Sequence, residues 1–177
     1  MSGNPVEIEY KYLIRYPDAG LLESQPGCSR VGIRQTYLLT DPHVTERVRS
    51  WDENGTVRYF HTEKRRISDQ SAQELEEEIS CERYEELLRK ADPERSVIEK
   101  VRYRIPYKGN MLEIDVYPFW SRQAVLEIEI GEENEEARIP SWLTVLRDVT
   151  SEKAYRNKAL AKRIPEEDEQ TEEASRM

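Results

Sequence analysis

Charged and apolar residues alternate strictly in several short stretches of the chain. Residues 7–12 read Glu-Ile-Glu-Tyr-Lys-Tyr, and the same alternation returns at 47–49, 100–104, 113–115 and 127–130. Because successive side chains of a β-strand point to opposite faces, each stretch predicts a strand with one charged face and one apolar face. The pattern is typical of antiparallel sheets, in which one face packs on a core and the other meets solvent.

Turn-forming residues divide the chain into eight predicted strands. Asn54-Gly55 is a strong hairpin signal, and Asp41-Pro42 and Lys108-Gly109-Asn110 mark further turns. The predicted strands cover residues 6–14, 34–40, 44–52, 56–65, 73–79, 97–107, 111–118 and 123–131. The predicted helices are a turn at 21–22, a helix at 81–91 with Ser80 as N-cap, a short helix after Pro140 that buries Trp142, Val145 and Leu146, and a helix at 152–163 with Ser151 as N-cap.

Residues 71–92 favour two interpretations. Helix propensity and the spacing of the apolar residues slightly favour one long helix through the whole stretch. The other interpretation is a strand at 73–79 followed by the helix at 81–91. The residue pattern alone slightly favours the long helix.

The charged strand faces are sorted by sign. The pairs at 7/9 and 127/129 are acidic, whereas the pairs at 47/49 and 100/102 are basic. Like charges two positions apart on one strand face repel each other, so we expect a ligand to offset them. Divalent metal ions would offset the carboxylates, and a polyanion would offset the Lys and Arg pairs. If the charged faces point inward, closing the strands into a barrel creates a polar tunnel; if the apolar faces point inward, the acidic pairs are ordinary surface.

Composition narrows the class of protein. The chain has 177 residues and a net charge of −9. Residues 165–177 contain six acids and one Arg, and this composition predicts an acidic disordered tail. Residues 1–164 are expected to form a single domain. The acidic balance argues against nucleic-acid binding, although Lys64-Arg65-Arg66 is locally basic. No stretch is apolar over the length of a membrane span, and the N-terminus has no signal-peptide profile. We therefore expect a cytoplasmic protein with no membrane partner, either a monomer or a homodimer.

A series of motifs extends over residues 6–163. In chain order they are Glu7-x-Glu9-x-Lys11, Gln35-x-Tyr37-Leu38, Arg47-x-Arg49, Thr62-x-Lys64, Glu74-x-Glu76, Glu99-Lys100-x-Arg102-Tyr103, Glu113-x-Asp115, Glu127-x-Glu129, and Val149-Thr150 with Lys153, Tyr155, Asn157 and Ala159-Leu160-Ala161. One Glu-x-Glu-x-Lys motif alone carries little weight, because any amphipathic strand can produce it. The complete ordered series resembles the CYTH superfamily of triphosphate tunnel metalloenzymes, particularly the short bacterial inorganic triphosphatases.

The resemblance implies an α+β fold dominated by an eight-stranded antiparallel closed β-barrel, with a charged interior and flanking helices. It implies hydrolysis of a small-molecule polyanion, inorganic triphosphate first, with Mg²⁺ or Mn²⁺ as cofactor. It also favours the strand at 73–79, because Glu74 and Glu76 then face the tunnel. The alternatives are a thiamine-triphosphatase or a class IV adenylate cyclase on the same fold, or a non-catalytic polyphosphate-binding module.

The implied site residues fall into three groups. Those expected to bind phosphate are Lys11, Arg47, Arg49, Lys64, Lys100, Arg102 and, with a looser match, Lys153. Those expected to hold metal are Glu7, Glu9, Glu74, Glu76, Asp115, Glu127 and Glu129. Catalysis is assigned to Lys11 and Tyr37, which we expect to meet across the tunnel, with a partly neutral Lys11 accepting a proton from the attacking water. The alternative is that the metal activates the water unaided.

Overall fold

Nine strands form one antiparallel sheet in the structure, a computed structural model that describes residues 6–168. The strands are β1 (Val6–Arg15), β2 (Ser29–Tyr37), β3 (Thr45–Glu53), β4 (Thr56–Arg66), β5 (Ser71–Ile79), β6 (Ile98–Tyr107), β7 (Asn110–Val116), β8 (Gln123–Glu129) and β9 (Val145–Asp148). The helices are α1 (Ala19–Glu23), α2 (Cys81–Leu88) and α3 (Asn157–Leu160), with a 3-10 helix at Lys153–Tyr155. Within these described residues, no helix has both the length and the apolar composition of a membrane-spanning helix.

The sheet closes on itself into a barrel of eight strands. Neighbours follow the order β5-β4-β3-β2-β6-β7-β8-β1, and the ring closes where residues 6–8 of β1 pair with residues 71–73 of β5. Further along β1, residues 12–14 pair with β9, which adds a ninth strand to the sheet. The predicted eight-stranded antiparallel barrel is confirmed.

The charged faces of the strands point into the lumen. Glu7, Glu9 and Lys11 of β1 line an internal cavity, whereas Ile8 and Tyr10 between them pack in an apolar cluster outside the wall. The same alternation holds on the facing strands, as the period of two requires. Of the two interpretations of the charged pairs, the inward-facing one is correct.

Apolar clusters on the outside of the barrel supply much of the core. The larger cluster joins the outer faces of β1, β6, β7 and β8 to Leu22 of α1 and to Leu143. In a smaller cluster, Tyr84 and Leu87 of α2 pack against Val48 of β3. Burial of apolar surface contributes about 25 cal/mol per Å². Because these outer clusters bury apolar surface, the lumen can remain polar.

One part of the lumen is filled by apolar side chains. Leu13, Tyr37 and Tyr117 pack there against Tyr155 and Leu160, which belong to the 153–160 segment formed by the 3-10 helix and α3. Leu13 shares the inward face of β1 with the charged residues that precede it. The 153–160 segment therefore plugs this part of the barrel, and the polar cavity occupies the remaining lumen.

Three predicted elements differ from the structure. β2 covers Ser29–Tyr37 instead of 34–40: the Leu38 N–H still donates to Glu46 of β3, but the Leu39 N–H turns to the Lys90 carbonyl after α2. The helix expected after Pro140 is replaced by β9, whose backbone pairs with β1. The helix expected at 152–163 is two short helices, since the backbone of Arg156 between them is extended, with ψ 142°.

Residues 71–92 form a strand and a helix, as the family resemblance favoured. β5 pairs with β4 along its length. These inter-strand hydrogen bonds satisfy backbone N–H and C=O groups that would bond to each other within a long helix. The Ser80 hydroxyl oxygen accepts a hydrogen bond of 3.0 Å from the Arg83 backbone N–H and caps α2. The helical turn expected at 21–22 is present as α1.

The first residues of the predicted acidic tail contact the domain. The Trp120 indole N–H donates to the Pro165 carbonyl at 3.1 Å, and the backbone N–H of Ser121 donates to Glu167 Oε1 at 2.7 Å. The rest of the predicted tail lies outside the described residues. The domain boundary at 164 stays a prediction.

Candidate active site

A polar cavity of about 1050 Å³ occupies the unplugged lumen. Acidic and basic side chains from facing strands share its wall. The predicted site residues that line it are Glu7, Glu9, Lys11, Tyr37, Arg47, Arg49, Lys64, Glu74, Glu76, Arg102, Glu127, Glu129 and Lys153. The structure therefore brings together all but two of the residues proposed from the sequence.

Glu9 and Glu129 are opposite each other on β1 and β8. Within residues 6–168, neither forms an ion pair within 4.0 Å. Burial raises the pKa of Glu9 to about 8, and the Glu127 carboxylate adds to this shift. Burial also raises the pKa of Glu129, as do the charges of Glu7 and Glu113. Nearby bases therefore do not outweigh burial and the neighbouring acids at these two carboxyl groups, and their oxygens suit a hard divalent cation.

Lys64 lies between two carboxyl groups. Its Nζ is 3.2 Å from Glu7 Oε2 and 3.7 Å from Glu74 Oε2. Burial and a hydrogen bond with Glu7 raise the pKa of Glu74 to about 7, whereas that hydrogen bond and the charges of Lys64 and Arg47 hold the pKa of Glu7 low despite burial. Glu74 is thus partly protonated near neutral pH, and a bound cation would displace that proton.

Glu76 is engaged by groups other than a metal. Its Oε2 accepts hydrogen bonds from Arg49 Nη2 at 2.8 Å and from the Thr62 hydroxyl at 2.7 Å. Although burial opposes it, the Arg49 charge lowers the pKa of Glu76. Glu76 thus holds the Arg49 guanidinium in place.

The Glu127 carboxylate lies between two basic side chains in the cavity wall. Its Oε1 is 3.4 Å from Lys11 Nζ, and its Oε2 is 3.6 Å from Arg102 Nη2. These charges lower the pKa of Glu127 far below its usual range, although burial acts in the opposite direction. The charge of Glu127 is therefore already balanced by these two bases.

Lys100 and Asp115 do not line the cavity, in contrast to the sequence expectation. Both side chains are fully buried, with Lys100 Nζ 2.8 Å from Asp115 Oδ2. Asp115 also accepts hydrogen bonds from Arg102 Nε at 2.7 Å and Nη2 at 2.9 Å. Burial lowers the pKa of Lys100 to about 8 in spite of Asp115. The pair lies behind Arg102 and orients its guanidinium.

Arg47 and Lys153 carry positive charge into the cavity without an acidic partner. Neither forms an ion pair within 4.0 Å in the described part of the chain. The Arg47 Nε is buried and has no hydrogen-bond partner there. A buried, unpaired guanidinium N–H is costly unless an acceptor reaches it, and phosphate oxygens are suitable acceptors.

Lys11 and Tyr37 both line the cavity but have other partners. Lys11 Nζ donates to the Tyr155 carbonyl at 3.4 Å in addition to its Glu127 contact, and the Tyr37 hydroxyl accepts from Gln35 Nε2 at 2.9 Å. No hydrogen bond joins the two among the contacts of the described residues. The predicted dyad stays a prediction.

Glu113, Arg104 and Trp51 are among the cavity-lining residues that the sequence prediction did not assign to the cavity. Glu113 hydrogen-bonds Arg102 and Arg104, each at 3.2 Å. The guanidiniums of Arg104 and Arg49 lie 5.9 Å and 5.7 Å from the Trp51 ring centroid. The sequence could have indicated these three residues, because each lies two positions from a predicted site residue and so shares its strand face. The pairs are Glu113 with Asp115, Arg104 with Arg102, and Trp51 with Arg49.

A second acidic group lies on the outside of the barrel. Glu46, His61 and Glu63 place one ligand atom each within 4.8 Å of one another, but they alternate with lumen-facing residues of β3 and β4. No three cavity carboxylates within residues 6–168 approach this closely.

Comparison with known proteins agrees with this geometry. The chain is 36% identical over 166 residues to an inorganic triphosphatase of Nitrosomonas europaea, covering 90% of this chain and 99% of the relative. It is 32% identical over 130 residues to an inorganic triphosphatase of Acetivibrio thermocellus, covering 73% and 79%. No family model matches the chain.

Solved structures show the same fold. The crystal structure of the inorganic triphosphatase NE1496 is similar with a TM-score of 0.56 and 32% identity, over 94% of this chain and 99% of that one. The PH1012 protein of Pyrococcus horikoshii has a TM-score of 0.54 at 20% identity, over 72% and 80%, and supports the fold alone.

The closed barrel with a charged lumen defines a CYTH-type tunnel protein, as the motif series indicated. Within that class, the identity and coverage of its two curated relatives show that the chain belongs to the inorganic triphosphatase family.

Proposed function

We propose that this protein hydrolyses inorganic triphosphate to phosphate and pyrophosphate in a reaction that depends on Mg²⁺ or Mn²⁺. The observation that carries the proposal is a single cavity in which unpaired cations face unpaired carboxylates. Phosphoanhydride hydrolysis needs positioning and charge neutralisation more than covalent help from the protein. The names of the curated relatives support the same activity.

The cationic side chains bind and orient the phosphate chain. Arg47 and Lys153 form no ion pair within 4.0 Å in the described chain, so their N–H groups are open to phosphate oxygens. Arg49 and Arg102 present guanidiniums held by Glu76 and by Asp115, so little rotamer entropy is lost when they bind phosphate. Lys100 acts through Asp115 as a positioning residue.

The unpaired carboxylates would hold the divalent cation. Glu9 and Glu129 are the principal candidates. Glu7 and Glu74, which share Lys64 as their basic partner, line the same cavity and are secondary candidates. A bound cation would neutralise phosphate charge and bring the pKa of a bound water toward neutrality. Glu76 and Glu127 balance bases instead, which separates them from the carboxylates that would bind metal.

Lys11 and Tyr37 are proposed to handle the proton of the attacking water. Both lie in the cavity wall, and Lys11 Nζ is anchored by Glu127 on one side and the Tyr155 carbonyl on the other. As the water oxygen bonds to the terminal phosphorus, the bridging P–O bond breaks and pyrophosphate leaves. The water proton passes to the neutral amine form of Lys11 in this proposal, which becomes an ammonium group beside Glu127.

A phosphate-release panel tests the function. Tripolyphosphate, ATP and thiamine triphosphate are each supplied with Mg²⁺, Mn²⁺ or a chelator. We expect tripolyphosphate to be hydrolysed best, pyrophosphate to accumulate, and the chelator to abolish release. Preferred hydrolysis of ATP or thiamine triphosphate, formation of cyclic AMP, or binding without turnover would contradict the proposal and identify which alternative holds.

A further inference from the structure

Gln35 is a fully buried polar residue to which the site described above gives no role. It lies on β2 two residues before Tyr37, so the two side chains share the inward face of the strand. Its exposed fraction is 0%, and it does not line the cavity, whereas Tyr37 does. Gln35 therefore lies behind the cavity wall and can act on a ligand only through a neighbouring side chain.

The Gln35 amide forms one hydrogen bond and has one atom without a partner. Its Nε2 donates to the Tyr37 hydroxyl oxygen at 2.9 Å, and its Oε1 is buried with no hydrogen-bond partner in the described chain. A buried carbonyl oxygen without a donor lowers stability, and an apolar side chain of the same shape would avoid that cost. The amide is therefore better explained by what it does to Tyr37 than by the stability of the fold.

A neighbouring charge determines which end of the amide meets Tyr37. Gln35 is the direct cross-strand partner of Arg49 on β3, and such side chains are about 4.5–5.5 Å apart at Cβ. The Arg49 guanidinium attracts the amide oxygen and repels the amide N–H groups. The N–H groups are thus left for Tyr37, and the reversed amide, in which the carbonyl accepts from Tyr37, is disfavoured.

The hydrogen bond from Gln35 determines what the Tyr37 hydroxyl can do. A phenol oxygen that accepts from an amide N–H keeps its own proton for a different acceptor. Among the hydrogen bonds within residues 6–168, that proton reaches no acceptor. Because Tyr37 lines the cavity, its O–H group can donate to an anion bound there.

This donor lies next to the proposed phosphate site. Tyr37 is the direct cross-strand partner of Arg47, whose Nε is buried and likewise has no hydrogen-bond partner in the described chain. Two adjacent donors, one on β2 and one on β3, thus lack an acceptor. The oxygens of one phosphoryl group can accept from both.

We propose that Gln35 is a positioning residue for triphosphate hydrolysis, whose amide holds the Tyr37 hydroxyl so that the O–H donates to a phosphoryl oxygen beside Arg47. The inference rests on the proposed function and gives the Tyr37 hydroxyl a defined hydrogen-bond direction. A phenol oxygen has a second lone pair, which stays open to an N–H of Lys11. The role of Gln35 is therefore compatible with the proposed dyad.

Gln35→Met tests the proposal, because it removes the amide and keeps the length of the side chain. We expect kcat for tripolyphosphate with Mg²⁺ to fall about tenfold, the effect of one hydrogen bond, and KM to change less than about twofold. Tm should equal or exceed that of the wild-type protein, because the unpaired carbonyl is removed as well. In a Tyr37→Phe background the same substitution should change kcat less than about twofold, since no hydroxyl is left to position.

Thr36→Val is the matched control. Thr36 is adjacent to Gln35, is 5% exposed and has a buried hydroxyl without a hydrogen-bond partner in the described chain, but its side chain points to the opposite face of β2. This substitution should leave kcat and KM unchanged. Gln35→Asn, whose amide is one methylene too short to reach Tyr37, should lower kcat as Gln35→Met does and replaces it if the Met variant does not fold.

The positioning role and the proposed function fail in different ways. An equal loss of kcat in the wild-type and Tyr37→Phe backgrounds, or an unchanged kcat in Gln35→Met and Gln35→Asn, would overturn the positioning role alone. A lower Tm together with a higher KM would also overturn it, because Gln35 would then shape the barrel instead of the hydroxyl. No phosphate release from tripolyphosphate by the wild-type protein would overturn both.

Discussion

Glu129 contributes negative charge to the lumen without a basic partner in the described chain. Glu129→Gln removes a proposed metal ligand, so the Mg²⁺ concentration for half-maximal activity should rise at least roughly 10- to 100-fold. Triphosphate binding without metal should persist or tighten, because one negative charge is lost. Separate titrations of metal and triphosphate measure the two effects. Glu136→Gln, an exposed loop position, is the matched control.

The assignment of Glu129 fails if both titrations shift equally. An equal loss, accompanied by a lower Tm, would indicate a structural role for this carboxylate. Unchanged metal dependence would move the proposed cation away from the Glu9–Glu129 pair.

Asp115 is expected to stabilise the fold rather than bind metal. Asp115→Asn leaves Lys100 and Arg102 buried with less countercharge, which should lower the free energy of unfolding by roughly 3–5 kcal/mol. Chemical denaturation measures this, with Glu129→Gln as a comparison that breaks no ion pair. Unchanged stability together with a shifted metal titration would restore Asp115 as a metal ligand.

Tyr37→Phe tests the proposed dyad with Lys11. If the hydroxyl holds Lys11 for proton transfer, kcat should fall on the order of 10²-fold and the pH profile should change. Lys11→Ala combined with it should cost far less than the sum of the two single changes. The exposed Tyr16 supplies the control Tyr16→Phe. A wild-type kcat and pH profile in Tyr37→Phe would leave water activation to the metal.

The residue pattern identifies the face of a side chain but not its depth. The two-residue alternation of side chains along a strand correctly predicted that Glu9, Arg47 and Lys64 face the lumen. It placed Lys100 and Asp115 there as well, although both lie behind Arg102. Depth depends on how far each strand extends past its neighbours, and the alternation of side chains carries no such information.

At the scale of elements, local patterns fail where distant chain segments pair. Residues 71–79 have helical composition yet form β5, because their backbone pairs with both β4 and β1. The sequence after Pro140 suggests a helix yet forms β9 on β1. By contrast, the hairpin at Asn54-Gly55 follows from local turn chemistry: Asn54 and Gly55 both have positive φ.

The 153–160 segment is held in the barrel by Asn157. Its Oδ1 accepts hydrogen bonds from the Tyr117 hydroxyl at 2.5 Å and from Lys100 Nζ at 3.5 Å. Asn157→Ala leaves these buried donors short of an acceptor and should lower stability by about 1–3 kcal/mol. Because Lys153 lies on the same segment, KM for triphosphate should rise more than kcat falls.

Thermal unfolding and steady-state kinetics measure the Asn157→Ala effect. Lys162→Ala, an exposed position just after α3, should leave both unchanged. A stability loss with unaltered KM would show that the segment plugs the barrel without positioning the cavity.

At the scale of the whole molecule, pH should change both the stability of the metal-free protein and its affinity for the cation. Glu9 and Glu74 have pKa values raised to about 8 and about 7 from an ordinary 4.5. Between the ordinary and raised values, the folded protein holds protons that the unfolded chain has released. Metal-free stability should therefore fall as pH rises through that window. Because a cation displaces these protons, its affinity should rise over the same range.

Tm measurements at about pH 6 and about pH 8.5, with and without Mg²⁺, test this coupling. The increase in Tm produced by Mg²⁺ should be larger at the higher pH, and Glu9→Gln should reduce the difference. An increase that is equal at both pH values would show that the cation does not compete with these protons.

The barrel also explains how an acidic protein can bind a polyanion. The net charge of −9 describes the chain as a whole, whereas closure gathers Arg47, Arg49 and Lys64 into one cavity. The barrel was predicted from the charged/apolar alternation in five stretches together with the family resemblance, which decided that residues 73–79 form a strand. The plug formed by the 153–160 segment was not, because it depends on apolar contacts between Tyr117 or Trp120 and a segment distant in the sequence.

The central claim is that triphosphate and its cation bind inside the barrel. A crystal structure with Mn²⁺ and tripolyphosphate, with the metal located by anomalous scattering, tests it most directly. The account predicts Mn²⁺ beside Glu9 and Glu129, with phosphate oxygens on Arg47. Mn²⁺ at Glu46, His61 and Glu63 on the outer face, or tripolyphosphate bound outside the cavity, would contradict it.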